Sequence, residues 1–136
     1  MANSGYSGTP LIKKLGISDT SKILVINAPA NYFELLGKDV KKQFASTEDC
    51  VELVHLFVTS NQEFEREMKK LAALYSMNPS MVTWVSWYKK AAGIPTDITE
   101  DIIRNFALAN NLVDIKVCAV SEIWSGLKLV VPRSKR

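Results

Sequence analysis

The sequence predicts an α/β fold: a three-layer, mostly parallel, doubly wound sheet of about five strands that ends in an antiparallel hairpin. Three observations carry this. Short runs of consecutive apolar residues, such as Ile23-Leu24-Val25-Ile26, mark strands covered on both faces, as parallel strands are. Segments with apolar residues at helical spacing alternate with those runs, the pattern of right-handed βαβ crossovers. The last two runs are separated only by Ser121 to Gly126, too short for a crossover, so they should pair as a hairpin.

Taken in order, Thr9 to Gly16 reads as a short helix, with Thr9 as its cap, Pro10 in its first turn and Gly16 as a left-handed exit. Lys22 to Asn27 is the first strand, and Pro29 opens a second short helix through Leu36, ended by Gly37. Residues 38–50 hold little signal beyond a short strand near Val40 to Phe44. Cys50 to Val58 is the second strand. Ser60 with Glu63 forms a capping box before a long amphipathic helix, whose inner stripe is Phe64, Met68, Leu71 and Tyr75. Glu65 and Lys69 are spaced to pair on its solvent side. Met81 to Trp87 is the third strand, and Lys89 to Ile98 is a loop holding Gly93 and Pro95. Thr99 caps the next helix, Glu100 and Asp101 suit its positive end, and Ile102, Phe106 and Ala109 form its inner stripe. Asn110 or Asn111 stops it, and Ile115 to Val120 and Leu127 to Val131 complete the sheet. No repeat or low-complexity segment interrupts this pattern. The chain therefore reads as one domain over 1–136, with flexible ends at 1–8 and 132–136.

The chain has 136 residues, of which 47% are hydrophobic and 23% charged, values of a globular rather than a disordered protein. Its formal net charge of +3 is too small to argue for nucleic acid. No apolar run is long enough to span a membrane, and Met1 to Ser7 lacks the apolar core of a secretory signal. Cys50 and Cys118 lie far apart with no metal-like spacing, so they read as buried free thiols of a reducing compartment. The expectation is a cytoplasmic protein with neither membrane nor nucleic acid as partner.

In doubly wound sheets, ligands sit beyond the carboxyl ends of the strands, which draws attention to three loops. Asn27-Ala28-Pro29-Ala30-Asn31 has no glycine, although a dinucleotide or S-adenosylmethionine site needs one for its tight turn and close backbone approach. Thr59-Ser60-Asn61 is explained by helix capping. Trp87-Tyr88-Lys89-Lys90, leading towards Asp97, offers two cations for a phosphate or carboxylate and an aromatic to stack on a ring. His55, the one histidine, lies inside a strand, where packing and hydrogen bonding are its ordinary role. No metal cluster and no Ser-His-Asp arrangement can be built around it.

Several phrases resemble a family of small bacterial domains of unknown function. They are Ser7-Gly8-Thr9-Pro10-Leu11 with Lys14-Leu15-Gly16, Asn27-Ala28-Pro29 with Tyr32, Leu56-Phe57-Val58, Trp84-Val85-Ser86-Trp87 with Lys89-Lys90, and Thr96-Asp97 with Thr99-Glu100-Asp101 and Arg104. The fullest match is Leu112-Val113-Asp114 with Lys116 to Val120, followed by Trp124-Ser125-Gly126-Leu127-Lys128. Tyr88 stands where that family has a proline, and Ser121 where it has an aspartate. The resemblance implies a shared Rossmann-like fold and brings no activity with it. In layout the chain is also similar to class I methyltransferases, which run from a short helix into a first strand and end in a helix and an antiparallel hairpin. It lacks their glycine loop and the room before Cys50 for their second and third strands, which implies a shortened, inactive relative.

The reading that follows is a non-catalytic domain binding a small anionic ligand or a protein partner, with no cofactor. Its ligand residues are Asn27, Asn31, Trp87, Lys89, Lys90 and Asp97. One alternative is a small enzyme using Lys89 or Lys90 with Asp97 in acid–base or phosphate chemistry. Another is a module that docks a partner, or a second copy, through its last strand or an exposed Trp124. S-adenosylmethionine is expected to bind no tighter than about millimolar, worth roughly 4 kcal/mol. Micromolar affinity in a calorimetric titration would contradict the reading of the first loop.

Overall fold

A computed structural model describes residues 9–136. The elements run α1 (Leu11–Lys14), β1 (Ile23–Ile26), α2 (Tyr32–Leu36), β2 (Leu53–Phe57), α3 (Asn61–Met77), β3 (Val82–Tyr88), α4 (Glu100–Ala109), β4 (Val113–Ala119) and β5 (Trp124–Val130). They form a mixed α/β fold around one five-stranded open sheet of order β1-β2-β3-β5-β4. β1, β2 and β3 are parallel, with Ile23 opposite Leu53 and Leu53 opposite Val82. β5 runs antiparallel to both of its neighbours, β3 and β4.

Burial explains the order. All five residues of β2 are buried, as a strand covered on both faces requires. On one face, Val54, Leu56, Val85, Trp87, Leu127 and Leu129 pack against the stripe Phe64, Met68, Leu71 and Tyr75 of α3 and against Ile103 and Ala107 of α4. On the other face, Ile23, Leu53, Phe57, Trp84 and Trp124 meet Leu11 and Leu15 around α1 and Tyr32 and Leu36 of α2. Trp84 binds the two sides of that second layer, since its indole N–H donates to the Leu15 carbonyl at 2.9 Å. Gly126 leaves room for the same ring: a Cβ there would lie 3.3 Å from the Trp84 side chain and 3.1 Å from Val120.

Local chemistry sets the boundaries. Gly16 and Gly37 both take left-handed φ of 79° and close α1 and α2, as their positions imply. Ser60 Oγ accepts the Glu63 amide at 3.1 Å, while Glu63 Oε1 reaches back one residue further than a standard capping box, to the Thr59 amide at 2.8 Å. Thr99 Oγ1 accepts the Ile102 amide at 3.3 Å and starts α4.

Other expectations are corrected. The cap position of α1 is Pro10 rather than Thr9. Residues 38–50 form two 3-10 turns, Lys41–Gln43 and Glu48–Cys50, and the expected strand reduces to one bridge between Phe44 and Ile23. The inner stripe of α4 is Ile103 and Ala107, with Ile102 and Phe106 half-buried and Ala109 exposed. On α3 it is Glu67 that pairs, with Arg66 and Lys70, rather than Glu65 with Lys69. The flexible end expected for 1–8 lies outside the described residues. At the other end, 133–135 form a 3-10 turn, with Lys135 donating to Asn111 Oδ1 at 3.0 Å and Arg136 to the Val131 carbonyl at 2.9 Å.

Buried polar groups in the sheet are matched to one another. His55 is fully buried, with Nδ1 2.8 Å from Tyr32 Oη and Nε2 2.8 Å from Ser86 Oγ, so one ring nitrogen donates and the other accepts. On the opposite face Tyr75 and Thr83 share a hydrogen bond, and burial pushes the Tyr75 hydroxyl up to about 12 despite it. Burial drives His55 down to about 3 from its ordinary 6.5. Above about pH 6.5 both folded and unfolded chains keep this ring neutral. Below that, the unfolded chain takes up a proton that the native protein refuses until pH is near 3, so stability falls as pH falls through this window. Between pH 6.5 and 5, denaturant titrations should show the folding constant dropping by up to about tenfold per pH unit. His55→Gln should flatten that slope, and an unchanged slope in the variant would contradict the assignment.

Candidate functional site

The three parallel strands deliver their carboxyl ends to one side of the sheet, where ligands of such folds collect. After β1, Asn27 takes a left-handed φ of 59° and its side-chain amide donates to the Phe57 carbonyl at 3.3 Å. That bond ties the ends of β1 and β2 together. Asn31 is exposed at the cap position of α2 and makes no capping bond. Neither asparagine lines the cleft that the other candidate residues form.

That cleft lies at the end of β3. Lys89 is still extended and its amide donates to the Ile123 carbonyl at 2.8 Å, which fixes the root of the loop to the β4–β5 turn. A 3-10 turn over Lys90–Ala92 follows, and Gly93 reverses the chain with φ of 67°, a conformation that favours glycine. Thr96 Oγ1 then donates to the Thr59 carbonyl at 2.7 Å, and Ile98 is buried before Thr99 caps α4. The result is a cleft of about 760 Å³. It is walled by Trp87 to Lys90, Gly93 to Thr96, the first turn of α4 and Ser125. This is within the size range of small-molecule sites.

The electrostatics of the cleft favour an anion. Lys89 and Lys90 stand on one wall, and the positive end of a ten-residue helix on the other. Glu100 and Asp101 also lie at that end, but Arg104 engages both, Asp101 at 3.0 Å, and it holds Asp114 of β4 at 3.0 Å as well. These bonds push the guanidinium above its ordinary range and offset the carboxylates at the rim.

Trp87 and the two lysines are thus brought together. Asp97 is placed elsewhere: its carboxylate accepts the Asn61 amide at 2.8 Å at the start of α3, and it lines a separate depression with Asn61, Gln62 and Arg66. Ser125, Thr96 and the first turn of α4 join the cleft without having been expected. Ser125 arrives because β5 runs back beside β3, pairing Trp87 with Ser125, a placement that only the strand order reveals.

Three further expectations are corrected. Trp124 is buried, edge-on to Phe57 with centroids 5.0 Å apart and against Tyr88 at 4.6 Å, because β5 is an interior strand. Cys50 sits in a 3-10 turn rather than a strand. Both cysteines are half-buried rather than buried, and burial raises the Cys118 thiol. His55 is packed and hydrogen-bonded, as its strand position implied. Among the described residues no three His, Cys, Asp or Glu side chains gather as a metal site would need. No described helix is long and apolar enough to cross a membrane.

No family model and no curated relative matches the chain. Among solved structures it is similar to a protein in the NADB-Rossmann superfamily from Streptococcus agalactiae, with 8% identity and a TM-score of 0.55. The likeness covers 92% of this chain and 69% of that one. It shows a Rossmann-like fold.

The position of Asp97 yields a prediction. Asp97→Ala should remove an acceptor from the first turn of α3 and cost about 1 kcal/mol, lowering Tm by roughly 3–5 °C. Differential scanning calorimetry measures this, and Asp97→Asn should recover most of the loss. A Tm unmoved by Asp97→Ala would free the carboxylate for chemistry.

Proposed function

We propose that this protein is a non-catalytic domain that binds a small anionic ligand in the cleft between β3 and α4. The observation that carries the reading is the convergence of Lys89, Lys90 and the α4 amino terminus on one concavity, with the neighbouring carboxylates held by Arg104. Trp87 and Tyr88 add apolar wall, so the ligand is of the kind that joins an anionic group to a flat or apolar body. Asn27 and Asp97 hold backbone at the strand ends rather than touching ligand, and Asn31 takes no part in the cleft. The enzyme reading asks Asp97 to act with the lysines, and its bond to the Asn61 amide favours the binding role instead. An antiparallel strand set beside the third parallel one fits the shortened methyltransferase-like layout, and the bacterial-family kinship and cytoplasmic location belong to the same proposal.

Pyrophosphate is a suitable probe. Charge-assisted bonds are worth roughly 1.5–3 kcal/mol each, so Lys89→Met with Lys90→Met should weaken its binding at least about tenfold. Lys41→Met with Lys42→Met removes the same charge from a turn next to the amino end of β1 and should change it little. Isothermal titration calorimetry decides: equal losses from the two pairs would mean general attraction only, and would end the proposal.

A further inference from the structure

The layer formed by α3 and α4 holds a second concavity, at the other end of α4 from the cleft. The two helices start together, since Asp97 just before α4 accepts the amide of Asn61, the first residue of α3. They touch where Phe64 meets Phe106, edge to face with centroids 5.1 Å apart. Past that contact their lengths differ. α3 has 17 residues and α4 has 10, so α3 runs on about 10 Å further, at 1.5 Å per residue. Ala72, on the flank of α3 left uncovered, adds only a methyl group, and a groove of about 470 Å³ remains. Its apolar lining is buried Met68, Leu112 and Val131, with half-buried Phe106 beside them. That volume is within the range of small-molecule sites.

The polar groups along the groove are engaged within the protein. Ser76 Oγ donates to the Ala72 carbonyl at 3.3 Å, and the Asn110 side-chain amide donates to the Phe106 carbonyl at 2.8 Å. At the end of α4 the Ala107 carbonyl accepts the Asn110 and Leu112 amides, so it offers little to a cation. Two ammonium groups stand apart from this pattern, Lys69 of α3 and Lys135 of the 3-10 turn after β5, both exposed. Lys135 uses one of its three protons on Asn111 Oδ1 at 3.0 Å. Among the described residues neither lysine makes an ion pair, and Glu65, one turn before Lys69, does not reach it. Among those residues no Asp or Glu lines the groove. An apolar trough with two cations and no anion is complementary to an anion that carries hydrocarbon.

We propose that this groove binds a small carboxylic acid with an apolar body, its carboxylate held by Lys69 and Lys135 and its hydrocarbon laid against Ala72 and Phe106. A monoanion with a hydrocarbon body satisfies both parts of the lining at once. Burial of that body supplies the affinity, and the lysines choose the acid over its neutral analogues. The proposal is independent of the cleft reading, since the two concavities share no lining residue.

Isothermal titration calorimetry with hexanoate, heptanoate and octanoate tests it on the intact protein at physiological salt. Each added methylene should strengthen binding about fourfold, and octanoate should reach a Kd below about 1 mM. Octanamide, equal in length but uncharged, should bind at least about tenfold more weakly than octanoate. Lys69→Met with Lys135→Met should erase that difference. Lys41→Met with Lys42→Met should change octanoate binding less than about twofold, because distant surface charges are screened. Ala72→Leu places a larger side chain in the groove while keeping a strong helix former on α3, so octanoate binding should fall at least about tenfold with Tm held. Excess pyrophosphate, the probe of the β3–α4 cleft, should not displace octanoate. The proposal is overturned by no octanoate binding, by affinity that ignores chain length, or by octanamide binding as tightly as octanoate. Equal loss from the two lysine pairs, undiminished binding in Ala72→Leu, or displacement by pyrophosphate would also overturn it, the last by placing the acid in the cleft.

Discussion

Everything at the carboxyl end of the sheet depends on where α4 sets down β4. The crossover from β3 passes over one strand's width, and the gap is filled by β5, hydrogen-bonded antiparallel to β3 from Thr83 to Tyr88 and to β4 from Val113 to Ala119. The turn between them is tight: the amides of Val120 and Ser121 both reach the Trp124 carbonyl, and Ser121 Oγ accepts the Ile123 and Trp124 amides at 3.1 Å. Filling the gap buries β3 on both faces and both edges. It also sets Ser125 and the Ile123 carbonyl beside the end of β3, which turns a loop after a strand into one wall of a cleft.

The same insertion divides the chemistry of the sheet. On the α3–α4 side, Arg104 collects three carboxylates, and among the described residues the cleft's Lys89 and Lys90 make no ion pair. On the α1–α2 side Lys116 of β4 lies opposite Lys128 of β5. Between these polar margins the interior hydrogen bonds are closed on themselves, through Tyr32–His55–Ser86 on one face and Tyr75–Thr83 on the other. A buried histidine satisfied at both nitrogens is a structural element, and its depressed basicity makes it a source of acid sensitivity rather than a catalyst.

The parts legible in the sequence were those written in local chemistry. Apolar runs located all five strands, glycines ended the first two helices, and Ser60 and Thr99 announced the starts of α3 and α4. What escaped depended on long-range pairing. Nothing in residues 121–131 distinguishes an edge strand from one slotted between two others, so Trp124 read as exposed and Ser125 as irrelevant to the site. Asp97 looked like a partner for the lysines because both lie in one loop. The Asn61 amide, 36 residues earlier, claims it instead. The bulge at Asp114/Lys116 shifts the parity of β4 and so decides which face its lysine occupies, which an alternation pattern cannot show.

The central claim is that the concavity at the end of β3 is the small-anion site. Its most direct test is a two-dimensional ¹H–¹⁵N correlation titration with pyrophosphate at physiological salt. The account predicts that the largest shifts fall on the amides of Lys89, Lys90, Gly93, Thr99 and Glu100, while those of Asn27, Asn31 and Asp97 stay nearly still. Saturating shifts centred on the Asn27–Asn31 loop, or none along 89–101, would contradict it.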